Sequence, residues 1–326
     1  MEPLLQVEDL RIEFRTSRGA LQALSGISFD VMPGEVFGLV GETGCGKTVT
    51  GLSVLRLVPQ PGRITSGQVL LRGEDLMRKP ESEMQQIRGG QISMIFQDPS
   101  SSLNPVFTVG SQIVRVIQQH QRGTERQAKQ RAVEALESVG LPDIRRLMSS
   151  YPHELSGGMQ QRVMIAMALS CKPALLIADE PTTALDVTIK AQILELLKEL
   201  QARFSLAILL ITHDLGVVAE TCDRLAVLYA GHVVETGATA DLFAAPLHPY
   251  TRGLMHAIPR RDSRGQPLTA IRGTVPSNPG TLVGCPFESR CEFAFDRCRA
   301  GRPPLIQMGA NHLSACWLHQ PEAGRG

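Results

Sequence analysis

"GETGCGKT", residues 41–48, follows the apolar run "VFGLV" (36–40) and precedes "VTGLSVL" (49–55). A short greasy strand, a loop with three glycines and then a helix-forming stretch is the local order of a phosphate-binding loop, and the residues fit G-x-x-x-x-G-K-[ST]. Glycine lets successive backbone N–H groups curl around phosphate oxygens, and the following helix adds its positive end. The expected nucleotide-contacting stretch is Gly41, Glu42, Thr43, Gly44, Cys45, Gly46, Lys47, Thr48 and Val49. Lys47 is placed to reach the β- and γ-phosphates, and the Thr48 hydroxyl to bind Mg²⁺. Cys45 reads as a small residue tolerated in the loop, where bulky alkylation would block nucleotide.

Working outward, short apolar runs alternate with longer helical patterns, the rhythm of an α/β sheet. "VFGLVG", "ISMIFQ" (92–97), "ALLIADE" (174–180) and "LAILLITHD" (206–214) read as buried parallel strands. "VTIKAQILELLKEL" spaces Ile189, Ile193, Leu196, Leu197 and Leu200 along one helix face. "LLQVEDLRIEF", "ISFDV" and "GQVLLRG" alternate more and suggest a separate N-terminal sheet. A helical insertion is expected over about 99–165, a hairpin at "RLAVLYAGHVVETG", and an irregular module rich in Pro, Gly, Arg and Cys from about 246 onward. Within that module Asp262 to Gly280 reads as a surface linker. No internal repeat or heptad run is evident, which argues against a solenoid or coiled coil.

The "LLIADE" strand ends in two carboxylates. Asp179 is placed to hold the Mg²⁺ shell, and Glu180 to act as general base or to polarise the attacking water. Ser156, in "LSGGMQQR" (155–162), is a good N-cap followed by Gly157 and Gly158, making a second helix start suited to an anion.

Bulk properties set bounds. At 326 residues the chain can hold one large α/β domain plus an appendage, and a 43% apolar share suffices for a core. Thirty-three basic residues against 32 acidic ones leave no general pull towards nucleic acid or anionic lipid. The start "MEPLLQVEDLRIEF" lacks a basic segment followed by a long apolar core, so no signal peptide is expected, and "LAILLI" is too short to span a bilayer. A soluble, cytoplasmic protein is the expectation.

Taken together, the phosphate loop, Gln97 in "MIFQDP", "LSGGMQQR", "LLIADE", Asp186 in "TTALD" and His213 in "LLITHD" resemble, in order, the motifs of ATP-binding cassette (ABC) ATPases. The resemblance runs over about 4–237. It implies an α/β fold with a RecA-like P-loop core, an N-terminal antiparallel β subdomain and a helical subdomain at about 99–165. The ATPase domain would be 1–245, with an extension over 246–326. It also implies roles: Phe14 stacking on adenine, Lys47 and Thr48 on phosphate and Mg²⁺, Gln97 sensing metal and attacking water. Asp179 and Glu180 become the metal-binding and catalytic acids, and His213 the γ-phosphate switch. Ser156, Gly157, Gly158 and Asp186 join the nucleotide contacts, the signature serine and glycines reaching ATP held by an opposite subunit.

"FQDPSSSLNPVFTVGSQI", "YPHELSGGMQQRVMIAMAL" and "PLHPYTRGLMHAIPR" (246–260) look like the dipeptide/oligopeptide importer branch. That implies an ATP-hydrolysing translocase subunit on the cytoplasmic face of the membrane. Its implied partners are two transmembrane permease subunits, a second, homologous ABC ATPase and a periplasmic or lipid-anchored solute-binding protein. An importer of nickel or another small solute is the alternative within the branch. Non-transport ABC ATPases acting on nucleic acid would need a coiled coil or zinc insertion, and translation-factor types a second cassette; neither is present.

Of seven cysteines, Cys45, Cys171 and Cys222 are scattered, while Cys285-x5-Cys291-x6-Cys298-x17-Cys316 cluster near the end. Cytoplasmic redox poise disfavours disulfides, and the C-x2-C pairs of zinc ribbons are missing, which weakens zinc. Four thiolates match what a [4Fe–4S] cluster takes, although the spacing is not a common ferredoxin run. The same spacing resembles the tail of dipeptide-importer ATPases that carry such a cluster, so iron–sulfur is expected, with zinc or unligated thiols as alternatives.

Overall fold

The computed structural model describes residues 2–17, 19–98, 102–183, 185–257, 271–276, 278, 280 and 282–320. Part of the expected linker, 262–270, lies outside them. In chain order the first elements are β1 (Leu5–Thr16), β2 (Gly19–Val31), β3 (Val36–Val40), α1 (Lys47–Val54), β4 (Gly62–Leu71), β5 (Glu74–Asp75), α2 (Glu81–Ile87) and β6 (Ile92–Ile95). A helical run follows: α3 (Val109–His120), α4 (Glu125–Ser138), α5 (Ile144–Ser149) and α6 (Gly157–Leu169). Then come β7 (Leu175–Asp179), α7 (Val187–Phe204), β8 (Ala207–Thr212), α8 (Leu215–Thr221), β9 (Arg224–Tyr229) and β10 (His232–Ala238). The chain closes with α9 (Thr239–Ala244), α10 (Pro249–His256), α11 (Asp296–Ala300), β11 (Ile306–Gln307) and β12 (Leu313–Ser314). The four expected buried strands, the hairpin and the helical insertion are all present.

These elements form two compact units, one of residues 1–4, 31–36 and 78–210, the other of residues 5–30, 37–77 and 211–326. In the first, β6 and β7 pair in parallel from Ile92↔Leu175 to Ile95↔Ala178, and the Ala207 N–H at the start of β8 donates to Ala174 O (3.1 Å). All five residues of β7 are buried, as the unbroken apolar run requires. The helices carry sequence-legible starts. Thr124 and Gln127 form a reciprocal capping box on α4, an arrangement that stabilises by about 1 kcal/mol. Asp143 caps α5 and Ser156 caps α6.

In the second unit, a four-stranded antiparallel sheet runs in the order β2-β1-β4-β5, with β1 and β4 in register from Leu5↔Leu71 to Phe14↔Gly62. Its other sheet places β3 beside β9 in parallel, β9 beside β10 as a hairpin, and then β12 and β11. Ala230 (φ 47°) and Gly231 (φ 73°) make the hairpin turn with both central residues left-handed, which matches strand twist.

Sequence reading missed the ordered tail. Residues 306–314 add two short strands to the edge of β10, pairing Glu235↔Ser314 and Thr236↔Leu313. Glu235 is fully buried, and its carboxylate accepts from Leu247 N–H (2.7 Å), His248 N–H (2.9 Å) and His312 Nε2 (2.7 Å). A buried carboxylate holding three donors ties two distant segments to one strand. Two-residue strands have no visible period, so no pattern announced them.

Candidate functional site

The phosphate loop leaves β3, all of whose residues are buried, and enters α1 at Gly46. Two glycines are required by the geometry. A Cβ on Gly41 (φ 155°) would lie 2.1 Å from Leu228 O, and one on Gly46 (φ 109°) 2.6 Å from Leu24 Cδ2. Lys47 is only 6% exposed, and its ammonium donates to Gly41 O (2.7 Å) and Glu42 O (3.1 Å). Thr43, Gly44 and Thr48 are exposed, while Val49 is half-buried. Cys45 is fully buried; burial pushes its thiol up, although the Lys47 charge opposes. Such a thiol is protonated and enclosed, which agrees with a small filler residue rather than a nucleophile. The loop is tied to the hairpin turn, where Gly231 N–H donates to Cys45 O (3.0 Å) and Ser25 N–H to Gly231 O (2.9 Å).

The same unit holds Phe14 and His213. Phe14 is half-buried on β1, and its ring lies against Gly62, where a Cβ would come within 2.6 Å of the ring edge. Much of that ring therefore packs on its own sheet. His213 follows β8 and is exposed; the neighbouring Asp214 caps α8 by accepting from Gly216 N–H (3.0 Å) and Val217 N–H (3.3 Å).

In the first unit, Asp179 ends β7 at 2% exposure. Glu180 takes the left-handed conformation (φ 46°), a strained setting for a non-glycine residue that turns its side chain out of the strand line. Its Oε2 accepts from Thr183 Oγ1 (2.8 Å) and from Gln97 Nε2 (3.4 Å). Two predicted site residues, Gln97 and Glu180, thus meet although 83 positions separate them. Thr183 was not foreseen; a threonine three residues beyond an acid is too common to stand out. Ser156 and Gly157 lie exposed at the start of α6, with Ser156 Oγ accepting from Met159 N–H (3.4 Å). Gly158 sits against α7, where a Cβ would come 3.0 Å from Ile189 Cγ2. Asp186 is exposed just before α7. A cavity of about 970 Å³ lined by Gln121, Arg131, Leu169 and Phe204 contains none of the predicted site residues.

Cys285, Cys291, Cys298 and Cys316 line one cavity with His248, Phe287 and Trp317, so the sequence cluster is also a spatial one. That cavity has a volume of about 10 Å³, room for a single water at most. Burial pushes the Cys285 thiol up to about 12, the Cys316 thiol up to about 11, and that of Cys291 upward as well. The neighbouring sulfurs add to each rise. Among the described residues no group of three or more His, Cys, Asp or Glu side chains could hold a metal ion. The donor chemistry suits iron or zinc, but the space is too small for a [4Fe–4S] cluster and the described side chains are not gathered as ligands for an ion. The expected [4Fe–4S] cluster and its zinc alternative therefore find no support in this geometry, and a metal-bearing C-terminal module is not established.

Residues 24–183 match the ABC transporter family, and residues 234–298 match the oligopeptide/dipeptide transporter C-terminal region. A probable peptide ABC transporter ATP-binding protein of Sinorhizobium fredii is 52% identical over 96% of this chain and 94% of its own length. The dipeptide transport ATP-binding protein DppD of Escherichia coli is 47% identical over 99% of this chain and 98% of its own. Among solved structures, a dimeric bacterial ABC transporter cassette is 26% identical, covering 72% of this chain and 98% of its own with a TM-score of 0.64. The same cassette in a post-hydrolysis state bound to ADP and Pi gives a TM-score of 0.63, again at 26% identity, 72% and 98% coverage.

Proposed function

The chain belongs to the ABC transporter ATP-binding family, in the branch bearing the oligopeptide/dipeptide transporter C-terminal region, and from that premise we propose how its residues act. The protein is an ATP-hydrolysing subunit that energises import of dipeptides or oligopeptides through membrane permease subunits. Among the described residues no helix is long and apolar enough to cross a membrane, so the passage itself belongs to those partners. The ATPase domain is proposed as 1–245 and the transporter extension as 246–326. The observation that carries the reading is a phosphate loop held rigidly at the end of a buried strand, in a chain that also bears the peptide-transporter C-terminal region.

In this reading the amides of Gly44, Cys45, Gly46, Lys47 and Thr48 grip the phosphates, and the Lys47 ammonium leaves its two loop carbonyls for the β- and γ-phosphate oxygens. Glu180 polarises the attacking water; its hydrogen bond from Gln97 supports that role by fixing the carboxylate's orientation. His213 contacts the γ-phosphate, Asp186 the nucleotide, and Phe14 the adenine. Thr48, Gln97 and Asp179 are oxygen donors of the kind Mg²⁺ prefers, and the ion when bound neutralises phosphate charge. Ser156, Gly157 and Gly158 reach the ATP of a facing, homologous ATPase subunit, so that closure excludes water and completes charge stabilisation. The cytoplasmic face of the membrane and a solute-binding protein acting through the permease complete the proposal.

The four thiols are proposed as [4Fe–4S] ligands on donor chemistry alone, and no catalytic step runs through them. Anaerobically prepared protein with four irons and four sulfides per chain, lost in Cys298→Ser, is the expected result; metal-free protein from the same preparation overturns it. The transport reading is tested by reconstituting the chain with its permease subunits in vesicles. ATP-dependent dipeptide uptake that Lys47→Ala abolishes is expected. Nickel uptake without peptide uptake would instead select the small-solute alternative.

A further inference from the structure

The second residue of the phosphate loop is held from outside the loop by the C-terminal region. Arg290 lies on a short helical turn between Cys285 and Cys291, and its side chain is 3% exposed. Its guanidinium makes a two-pronged pair with the Glu42 carboxylate, Nη1 to Oε2 at 2.6 Å and Nη2 to Oε1 at 3.0 Å. The remaining N–H groups donate to Arg272 O (2.8 Å), Ile271 O (3.3 Å) and Tyr229 Oη (3.4 Å), so all five donors are engaged. The cation also sits over the rings of Tyr229 (5.7 Å) and Phe287 (5.9 Å). A buried fork fixed on every prong has little freedom, and whatever it grips is fixed with it.

Glu42 is caught at two further points. Its N–H donates to Tyr250 Oη (2.9 Å), and its carbonyl accepts from Lys47 Nζ (3.1 Å). Tyr250 is fully buried, with its ring 4.6 Å from that of Tyr229 and 5.4 Å from that of Phe287. Side chain, amide and carbonyl of one loop residue are therefore all restrained, two of the three by residues beyond position 245. Glu42 also carries a negative charge into a loop read as a polyphosphate cradle. Unpaired, that charge repels an anionic ligand; paired with Arg290, it becomes a handle.

We propose that Arg290 is a positioning residue for nucleotide binding, which holds Glu42 so that the phosphate loop is preshaped and its carboxylate is neutralised. Through it the C-terminal region sets nucleotide affinity rather than the chemical step. The inference rests on the reading of residues 41–48 as the ATP loop. Preorganisation of this kind strengthens binding because less ordering remains to be done when ligand arrives.

The test is calorimetric titration of the full chain with MgADP, in a double-mutant cycle over Arg290→Met and Glu42→Gln, alongside steady-state ATPase of the assembled transporter. Arg290→Met should raise the MgADP Kd at least tenfold in the wild-type background and no more than twofold in Glu42→Gln. The transporter's KM should rise in parallel, with kcat within twofold. Equal loss in both backgrounds, or lowered kcat at unchanged KM, overturns the proposal, because a tail that merely stabilised the fold would act regardless of Glu42. Arg290→Lys keeps charge and burial but not the fork, and should raise Kd about threefold; wild-type affinity there also overturns it. If the wild-type chain fails to bind MgADP and Lys47→Ala changes nothing, it is the loop reading that has failed.

Discussion

At the start of α1, Lys47 is 6% exposed and bonded to two carbonyls of its own loop; at the start of α6, Ser156 and Gly157 lie open and the serine caps only its own helix. Both places put glycines at a helix N-terminus, the local recipe for holding an anion. The first is enclosed by its own unit: the β9–β10 turn, Tyr250 and Arg290 all reach it. The second rests on Ile189 of α7 along one side and presents its other side to solvent. One is finished by the chain that contains it. The other has the form of a surface to be completed elsewhere, as the proposed facing subunit would do.

That contrast can be broken most decisively at the loop lysine. Lys47→Ala should weaken MgADP binding by the full chain at least a hundredfold and abolish turnover, measured by titration and phosphate release. Ser156→Arg should leave the isolated chain's MgADP affinity within twofold yet lower turnover of the assembled complex about a hundredfold. If it weakened binding by the isolated chain as much as turnover, the corner would serve its own subunit and the distinction would vanish.

Stability separates the two regions more gently. Gly46→Ala combines a left-handed φ of 109° with a Cβ 2.6 Å from Leu24, and should cost about 2–3 kcal/mol by denaturant unfolding. Gly158→Ala meets Ile189 at 3.0 Å but gains helix propensity, so a net change within about 1 kcal/mol is expected. Similar losses at both would mean the corner is as tightly built as the loop.

Acid sensitivity separates the two regions as well. In the loop's unit, burial lowers His232 to about 4 and His248 to about 3, assisted by Arg302 for the former and by His319 and Arg252 for the latter. Both are held neutral in the fold while the unfolded chain takes up protons below the ordinary histidine value. Their contribution is therefore complete above about pH 6.5 and is lost as pH falls towards the folded values, at a limiting slope of about 1.4 kcal/mol per pH unit for each. The corner's unit has in His120 a lowered histidine that is less deeply buried. Between pH 7 and 5, hydrogen exchange should accelerate in β10 and α10 before it does in α3 and α4; simultaneous loosening would contradict the assignment.

Where chemistry depends on neighbours in the chain, reading was easy. The loop, the buried strands, the acid pair after β7 and the Ser156 cap each announce themselves within about ten residues, because strand period, helix capping and glycine torsion are local properties. Gln97 was legible only through its place in an ordered set of motifs; its contact with Glu180 is a product of β6 and β7 lying side by side. Thr183, Glu235 and Arg290 carried no signal at all, since a lone threonine, acid or arginine reads by default as solvated surface.

The sequence by itself determined that a glycine-rich loop joins a buried strand to a helix, that acids follow a second buried strand, and that four cysteines cluster near the end. Only the tertiary structure decided that the cysteines enclose scarcely a water's volume, that the tail adds strands to β10, and that Arg290 grips Glu42 across 248 positions. Local torsion and periodicity are written in consecutive residues. A buried ion pair depends on which distant segments share a core, and that is settled by packing.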